Sequence, residues 1–115
     1  IVEIAPDDAR LLDAVLRDGV GPSEIIIAVT LDRSGAASTA VTGRTPADVP
    51  IVGAYGREGS AGLELALSGV GPPPVLVDPT DPTAGLTPPT DFRGTAEYRL
   101  ELAAGLGRRV TEALG

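Results

Sequence analysis

Eleven consecutive residues, Thr90-Asp91-Phe92-Arg93-Gly94-Thr95-Ala96-Glu97-Tyr98-Arg99-Leu100, gather an Asp, two Arg, the single Phe of the chain and one of its two Tyr. A carboxylate among guanidinium groups can form charge-assisted bonds, and an Asp ahead of a helix can accept from its free N–H groups. Asp91 is therefore expected to cap the helix that follows or to pair with Arg93. Phe92 and Tyr98 are expected to seal the apolar end, with Gly94 letting the backbone turn. Asp78 and Asp81 offer two oxygens to a hard cation, but such a loop converges many more oxygens than two, and Asp-Pro is first a turn former. The stretch Gly56-Arg57-Glu58-Gly59-Ser60-Ala61-Gly62 has the composition of a phosphate loop. Strand-like runs flank it, whereas a phosphate cradle leads into a helix, so it reads as a hairpin connection. Tyr55 and Tyr98 read as amphipathic packing residues rather than proton donors, and spacing singles out no acid–base pair among the sixteen acids.

Other chemistry is removed by what the chain lacks. All nine basic residues are Arg, and there is no Cys, His, Lys, Met, Trp, Asn or Gln. A thiolate nucleophile, an imidazole base, a Schiff-base lysine and the usual zinc or iron–sulfur ligands are thus excluded. The formal charge of −7 opposes nucleic acid as a partner, because phosphate binding needs clustered cations. The longest apolar run, Ile25 to Leu31, is far below the ~20 residues that span a bilayer, and the N-terminus lacks a signal-like basic flank. No membrane insertion and a cytoplasmic location are expected, with Ile1 read as lying inside a longer polypeptide.

The elements that must position these residues follow from periodicity. Pro6-Asp7-Asp8 opens a run in which Leu11, Leu12, Val15 and Leu16 recur at helical spacing, closed by Gly19. Glu24 to Leu31 is β-branched and reads as a strand, with Asp32-Arg33-Ser34-Gly35 turning into a hairpin partner at Ala36 to Thr42. A further strand is expected from about Val49 to Tyr55. Leu63, Leu65 and Leu67 alternate with Glu64, Ala66 and Ser68 as a half-buried strand. Val75 to Val77 is a short extended piece, and Asp78 to Thr90 is a Pro/Thr-rich linker. Ala96, Leu100, Ala103, Leu106, Val110 and Leu114 form one face of the strongest helix, with Glu97 near its start and Arg108-Arg109 near its end. Gly105 and Gly107 within it imply close packing or a bend.

With 43% hydrophobic residues against fifteen Gly and eleven Pro, the chain reads as a loop-rich α+β domain. A long amphipathic C-terminal helix is expected within it. Residues 1–20 form an N-terminal helical segment, and 21–115 form the α+β domain.

The run Asp91-Phe92-Arg93-Gly94-Thr95-Ala96-Glu97-Tyr98-Arg99 resembles the Asp-x-Arg-Gly-Ser-Ala-Glu-Tyr-Arg signature of the C-terminal domain in carbon monoxide dehydrogenase-type flavoprotein subunits. Thr95 stands in place of the usual Ser. Leu65-Ala66-Leu67-Ser68-Gly69-Val70-Gly71-Pro72 is similar to the strand and Gly-Val-Gly turn of that domain. Arg44 to Val52 resembles its Arg-x-x-x-Asp segment, with Arg44 and Asp48 as the matching pair. Gly21-Pro22-Ser23-Glu24-Ile25-Ile26 resembles the Pro-Gly-Glu-Ile junction with the FAD domain. The resemblance implies an α+β domain whose antiparallel three- to four-stranded sheet is covered by helices, a non-catalytic part of the FAD-carrying medium subunit of a molybdenum hydroxylase such as carbon monoxide or xanthine dehydrogenase. Residues 1–20 would end the preceding FAD-binding domain, and the partners would be that domain and the molybdenum and iron–sulfur subunits. FAD would belong to the intact subunit and not to this chain alone, with Arg44, Asp48, Gly69, Gly71, Asp91, Arg93, Gly94, Tyr98 and Arg99 in structural roles. Departures also exist: Thr39 and Val41 replace an aromatic and a basic residue, helices between Val77 and Asp91 give way to the linker, and no two glycines are adjacent.

The residues alone also allow a free-standing interaction module, with the Gly69 to Pro74 turn or the linker binding a protein. A self-sufficient enzyme is a third and weaker reading. Self-association is expected if Leu31, Val41 and Ile51 line an open sheet face.

Overall fold

A computed structural model describes residues 1–5, 8–42, 45, 47 and 49–115. It is α+β, with two antiparallel sheets of three and four strands. They belong to two compact units, Ile1–Arg33 and Ser34–Gly115.

In the first unit the order is β1 (Val2–Ala5), β2 (Asp8–Arg10), α1 (Leu12–Asp18) and β3 (Ile25–Val29). Alternation at Val2 and Ile4 places both side chains in the interior of this unit. The central strand β1 pairs with β2 on one side and β3 on the other. The β1 strand was not legible as a sequence pattern, because four residues give only two apolar positions. The expected helix does form, but it starts at Leu12 rather than near Asp8 and buries none of its residues. Its N-cap position is Leu11, whose side chain offers no acceptor. Pro6 and Asp7, expected at its start, lie outside the described residues.

The second unit contains β4 (Ala37–Thr42), β5 (Val52–Gly59), β6 (Gly62–Ser68), β7 (Val75–Val77) and α2 (Ala96–Leu114), with sheet order β4-β5-β6-β7. The expected hairpin between the Ile25 strand and Ala36–Thr42 does not form. β4 pairs instead with β5, from Ala37↔Arg57 to Thr42↔Val52, and the turn-forming Asp32 to Gly35 cluster spans the boundary between units. The Gly-rich stretch is a hairpin, as expected, but a tighter one. β5 runs on through Gly59, and Gly59 pairs with Gly62 across Ser60-Ala61.

Helix α2 lies on one face of this sheet. Val52, Ala54, Leu65, Leu67 and Val70 pack with Ala103, Leu106 and Val110 in one core, joined by Ala40, Val75, Val77 and Leu86 from the rim. Alternate residues, including Val41, Tyr55 and Leu76, point to the opposite face and are exposed. Ile51, expected on an open face, is in the core instead. The sheet and helix meet closely at Gly56, where an added Cβ would lie 2.4 Å from Val110 Cγ1. The helix continues past Arg108-Arg109 to Leu114, so its last turn carries no base, contrary to the expected dipole pairing. Close packing accounts for Gly107, whose Cβ would meet Leu65 and Pro82, but not for Gly105, which faces open space.

Candidate functional site

The signature segment folds into a clamp around one buried guanidinium. Thr95 is the N-cap of α2, its hydroxyl accepting from the Tyr98 N–H at 3.1 Å, while Thr90 Oγ1 accepts from the Ala96 N–H at 2.8 Å. Two short hydroxyl side chains therefore satisfy the first free donors of the helix. Asp91 is relieved of that role, which corrects the expectation that it caps the helix. It closes a tight turn, donating its N–H to Gly94 O at 3.0 Å and accepting the Gly94 N–H at 3.2 Å. Its carboxylate accepts the backbone N–H of Arg93 and the Nη2 of Arg99, each at 2.9 Å.

The side chain of Arg93 turns away from Asp91 and donates to the carbonyl of Val49, so the expected Asp91–Arg93 ion pair is replaced by Asp91–Arg99. One turn into the helix, Arg99 is carried under the sheet end and is 4% exposed. Its Nη1 donates to Gly69 O at 2.8 Å and Ile51 O at 3.3 Å. One cation thus joins the helix start, the lead into β5, the turn after β6 and the Asp91 turn. The Arg99 Nε is buried with no acceptor.

Gly69 is required on two counts. Its φ is +82°, and a Cβ there would stand 1.9 Å from Ile51 O, the carbonyl that Arg99 also binds. Gly71 has open space where a Cβ would be. At Gly94 the Tyr98 ring covers the turn, 3.1 Å from where a Cβ would sit. Tyr98 is half exposed and Phe92 is 86% exposed, so Phe92 does not seal the helix end as expected. Arg44 and Asp48 lie outside the described residues. The clamp therefore unites Gly69, Asp91, Gly94, Tyr98 and Arg99, and Arg93 extends it to Val49.

Electrostatics follow from these contacts. The Asp91 carboxyl is held below its ordinary value, first by the Arg93 N–H and then by the Arg99 guanidinium. Asp78 is lowered by the Thr80 hydroxyl and N–H, which form a local turn. Among the described residues no group of three or more Asp, Glu, His or Cys is placed to hold a metal ion.

Sequence reasoning missed the two carbonyl acceptors of the clamp, because Ile51 and Gly69 contribute backbone oxygens that residue type does not advertise. It also missed a shallow concavity of about 360 Å³ on the outer sheet face, lined by Thr39, Tyr55, Arg57, Glu64, Ala66 and Leu76 among others. Arg57 Nε and Glu64 Oε2 pair across its floor at 2.7 Å. The cross-strand register Arg57↔Glu64 becomes visible only once the hairpin turn is known.

Comparison with protein-family models, curated proteins and solved structures finds no match.

Proposed function

We propose that this chain acts as a non-catalytic C-terminal domain of the FAD subunit of a molybdenum hydroxylase, packing beside the flavin domain and the molybdenum and iron–sulfur subunits. The observation that supports this reading is that five residues of the resemblance converge. Asp91, Gly94, Tyr98 and Arg99 of one motif and Gly69 of another meet in a single hydrogen-bonded clamp. The clamp uses its guanidinium and carboxylate on each other and on backbone carbonyls, which is the work of a fold-closing device. Buried charge spent this way is unavailable for substrate. The wider reading places the domain in the cytoplasm, where it carries no FAD of its own.

Two measurements test this. The reading frame upstream of Ile1 is expected to encode an FAD-binding domain with paired-glycine loops, and a start codon immediately before Ile1 would sink the proposal. Titration of FAD into the purified chain is expected to leave flavin fluorescence without a saturable change at micromolar concentrations. The pyrophosphate needs convergent N–H donors, and the chain's charge of −7 opposes an anion. Saturable quenching would require a cofactor site of the chain's own.

A second reading, a protein-interaction module, draws on the outer face of the second sheet, where Val41, Tyr55 and Leu76 are exposed around the concavity. It predicts a start codon at the N-terminus and no flavin domain.

A further inference from the structure

The chain that runs from β3 to β4 is tied to each unit by backbone hydrogen bonds. After β3 the Thr30 N–H donates to Ile1 O at 2.8 Å. Before β4 the Ala36 carbonyl accepts the Glu58 N–H at 2.9 Å, and Gly35 passes so near Glu58 that a Cβ there would stand 2.1 Å from its carbonyl oxygen. Leu31-Asp32-Arg33-Ser34 lies between these ties in neither helix nor strand, and every residue from Thr30 to Ala37 is exposed. The other arginines of the second unit that the structure describes are differently placed. Arg57 is in β5, a central strand, and Arg108 and Arg109 are in α2. Arg93 is in the tight turn closed by Asp91 and Gly94, and Arg99 is buried. A protease takes its substrate as extended chain, so a paired strand, a helix or a tight turn must open before it is cut.

We infer that Arg33–Ser34 is a processing site, at which a trypsin-like serine protease, selecting Arg through a carboxylate in its specificity pocket, releases the second unit as a folded domain. Water adds across the amide, leaving the Arg33 carboxylate on one product and the Ser34 amine on the other. Opening the single Ala36–Glu58 bond at the sheet edge extends the accessible chain on the far side of the scissile bond. That opening is local. The core from Ile51 to Val110 and the whole Arg99 clamp lie C-terminal to the cut, so the product keeps everything that holds the second unit together. Arg10 and Arg17 belong to the first unit, whose helix buries none of its residues. Cuts there shorten the N-terminal piece and leave the new start at Ser34 unchanged. The inference rests on the course of the backbone and owes nothing to the reading of the Arg99 clamp.

Trypsin added to the full chain tests the inference, since with Lys absent it reads Arg alone. Intact-mass measurement over time is expected to show one lasting product, Ser34 to Gly115, that keeps helical circular dichroism and a cooperative thermal transition. Its rate of appearance is expected to stay constant in urea below the unfolding transition, because the cut needs one edge bond open and not the unit unfolded. Arg33→Gln removes the specificity group at an exposed position and is expected to slow release by about tenfold or more with unaltered dichroism. Arg17→Gln is expected to release the product as the parent does. A lasting product that starts elsewhere, after Arg44 included, or a cut after Arg57, Arg93 or Arg108 ahead of Arg33 overturns the inference. So does a rate that follows unfolding in urea, release that survives Arg33→Gln, or a product without a cooperative transition.

Discussion

Arg99 shows how much a single buried side chain can tie together. Its donors reach two backbone carbonyls and one carboxylate on three separate segments. Arg99→Met keeps the aliphatic stem and removes the donors, leaving the Ile51 and Gly69 carbonyls without their partner. A loss of about 3 kcal/mol is expected in urea unfolding, and an unchanged midpoint would mean that the clamp is not a fold-closing device. The carboxylate side of the clamp is more exposed, and its signature lies in pH. Asp91 has a folded pKa below its unfolded one. Its contribution is therefore complete above the ordinary Asp value of about 3.9 and is lost as pH falls through the lower, folded value. Asp91→Asn is expected to lower stability at neutral pH and to flatten the acid limb of the stability profile. A profile parallel to that of the parent would show that this carboxylate titrates alike in both states.

At the scale of elements, glycines separate positions set by packing from those set by chance of sequence. Gly56 lies in β5 beneath α2, where a Cβ would meet Val110 Cγ1 at 2.4 Å and Leu114 Cδ1 at 3.0 Å. Val110 is β-branched and confined to one helical rotamer, so it cannot turn aside cheaply. Gly56→Ala is expected to cost about 2 kcal/mol by overpacking. Gly105 is also in the helix but faces open space, so Gly105→Ala is expected to stabilise by about 0.5 to 1 kcal/mol through helix propensity alone. Thermal melts of both variants check the pair. Equal effects in the same direction would contradict the placement of α2 on the sheet. The helix itself was legible from its spacing, as was the alternation of Leu65 and Leu67. The helix cap was not, because Thr90, Asp91 and Thr95 are all competent acceptors and only the path of the backbone decides which one meets the free N–H groups.

The whole molecule is uneven in stability. Among the described residues the second unit has a core of nine buried hydrophobics, whereas the first has Val2 and Ile4. Chains below about 40 residues seldom hold a fold on core burial alone. In dilute solution, hydrogen exchange is therefore expected to be fast in β1 to β3 and slow in β5, β6 and α2. Uniform protection across both units would refute this division. Ion pairing supports the small unit in part. Glu24 is held below its ordinary value by the Gly21 N–H and then by Arg10, so this contribution too is present above about pH 4 and fades below it.

The α+β class, the C-terminal helix, the Gly-rich hairpin and the concentration of functional-group residues between Thr90 and Leu100 could be read from the sequence alone. Each rests on local periodicity or turn chemistry, which neighbouring residues carry by themselves. Partner choice was a different matter. Ile25–Val29 was identifiable as a strand, yet its pairing with Val2–Ala5 rather than Ala37–Thr42 depends on a competition between distant segments that β-propensity does not encode. The same holds for the clamp. Sequence spacing set Asp91 beside Arg93, but tertiary structure chose Arg99. The helix start turns that residue toward Gly69 and Ile51, and a buried guanidinium must take its acceptors from whatever backbone passes within reach.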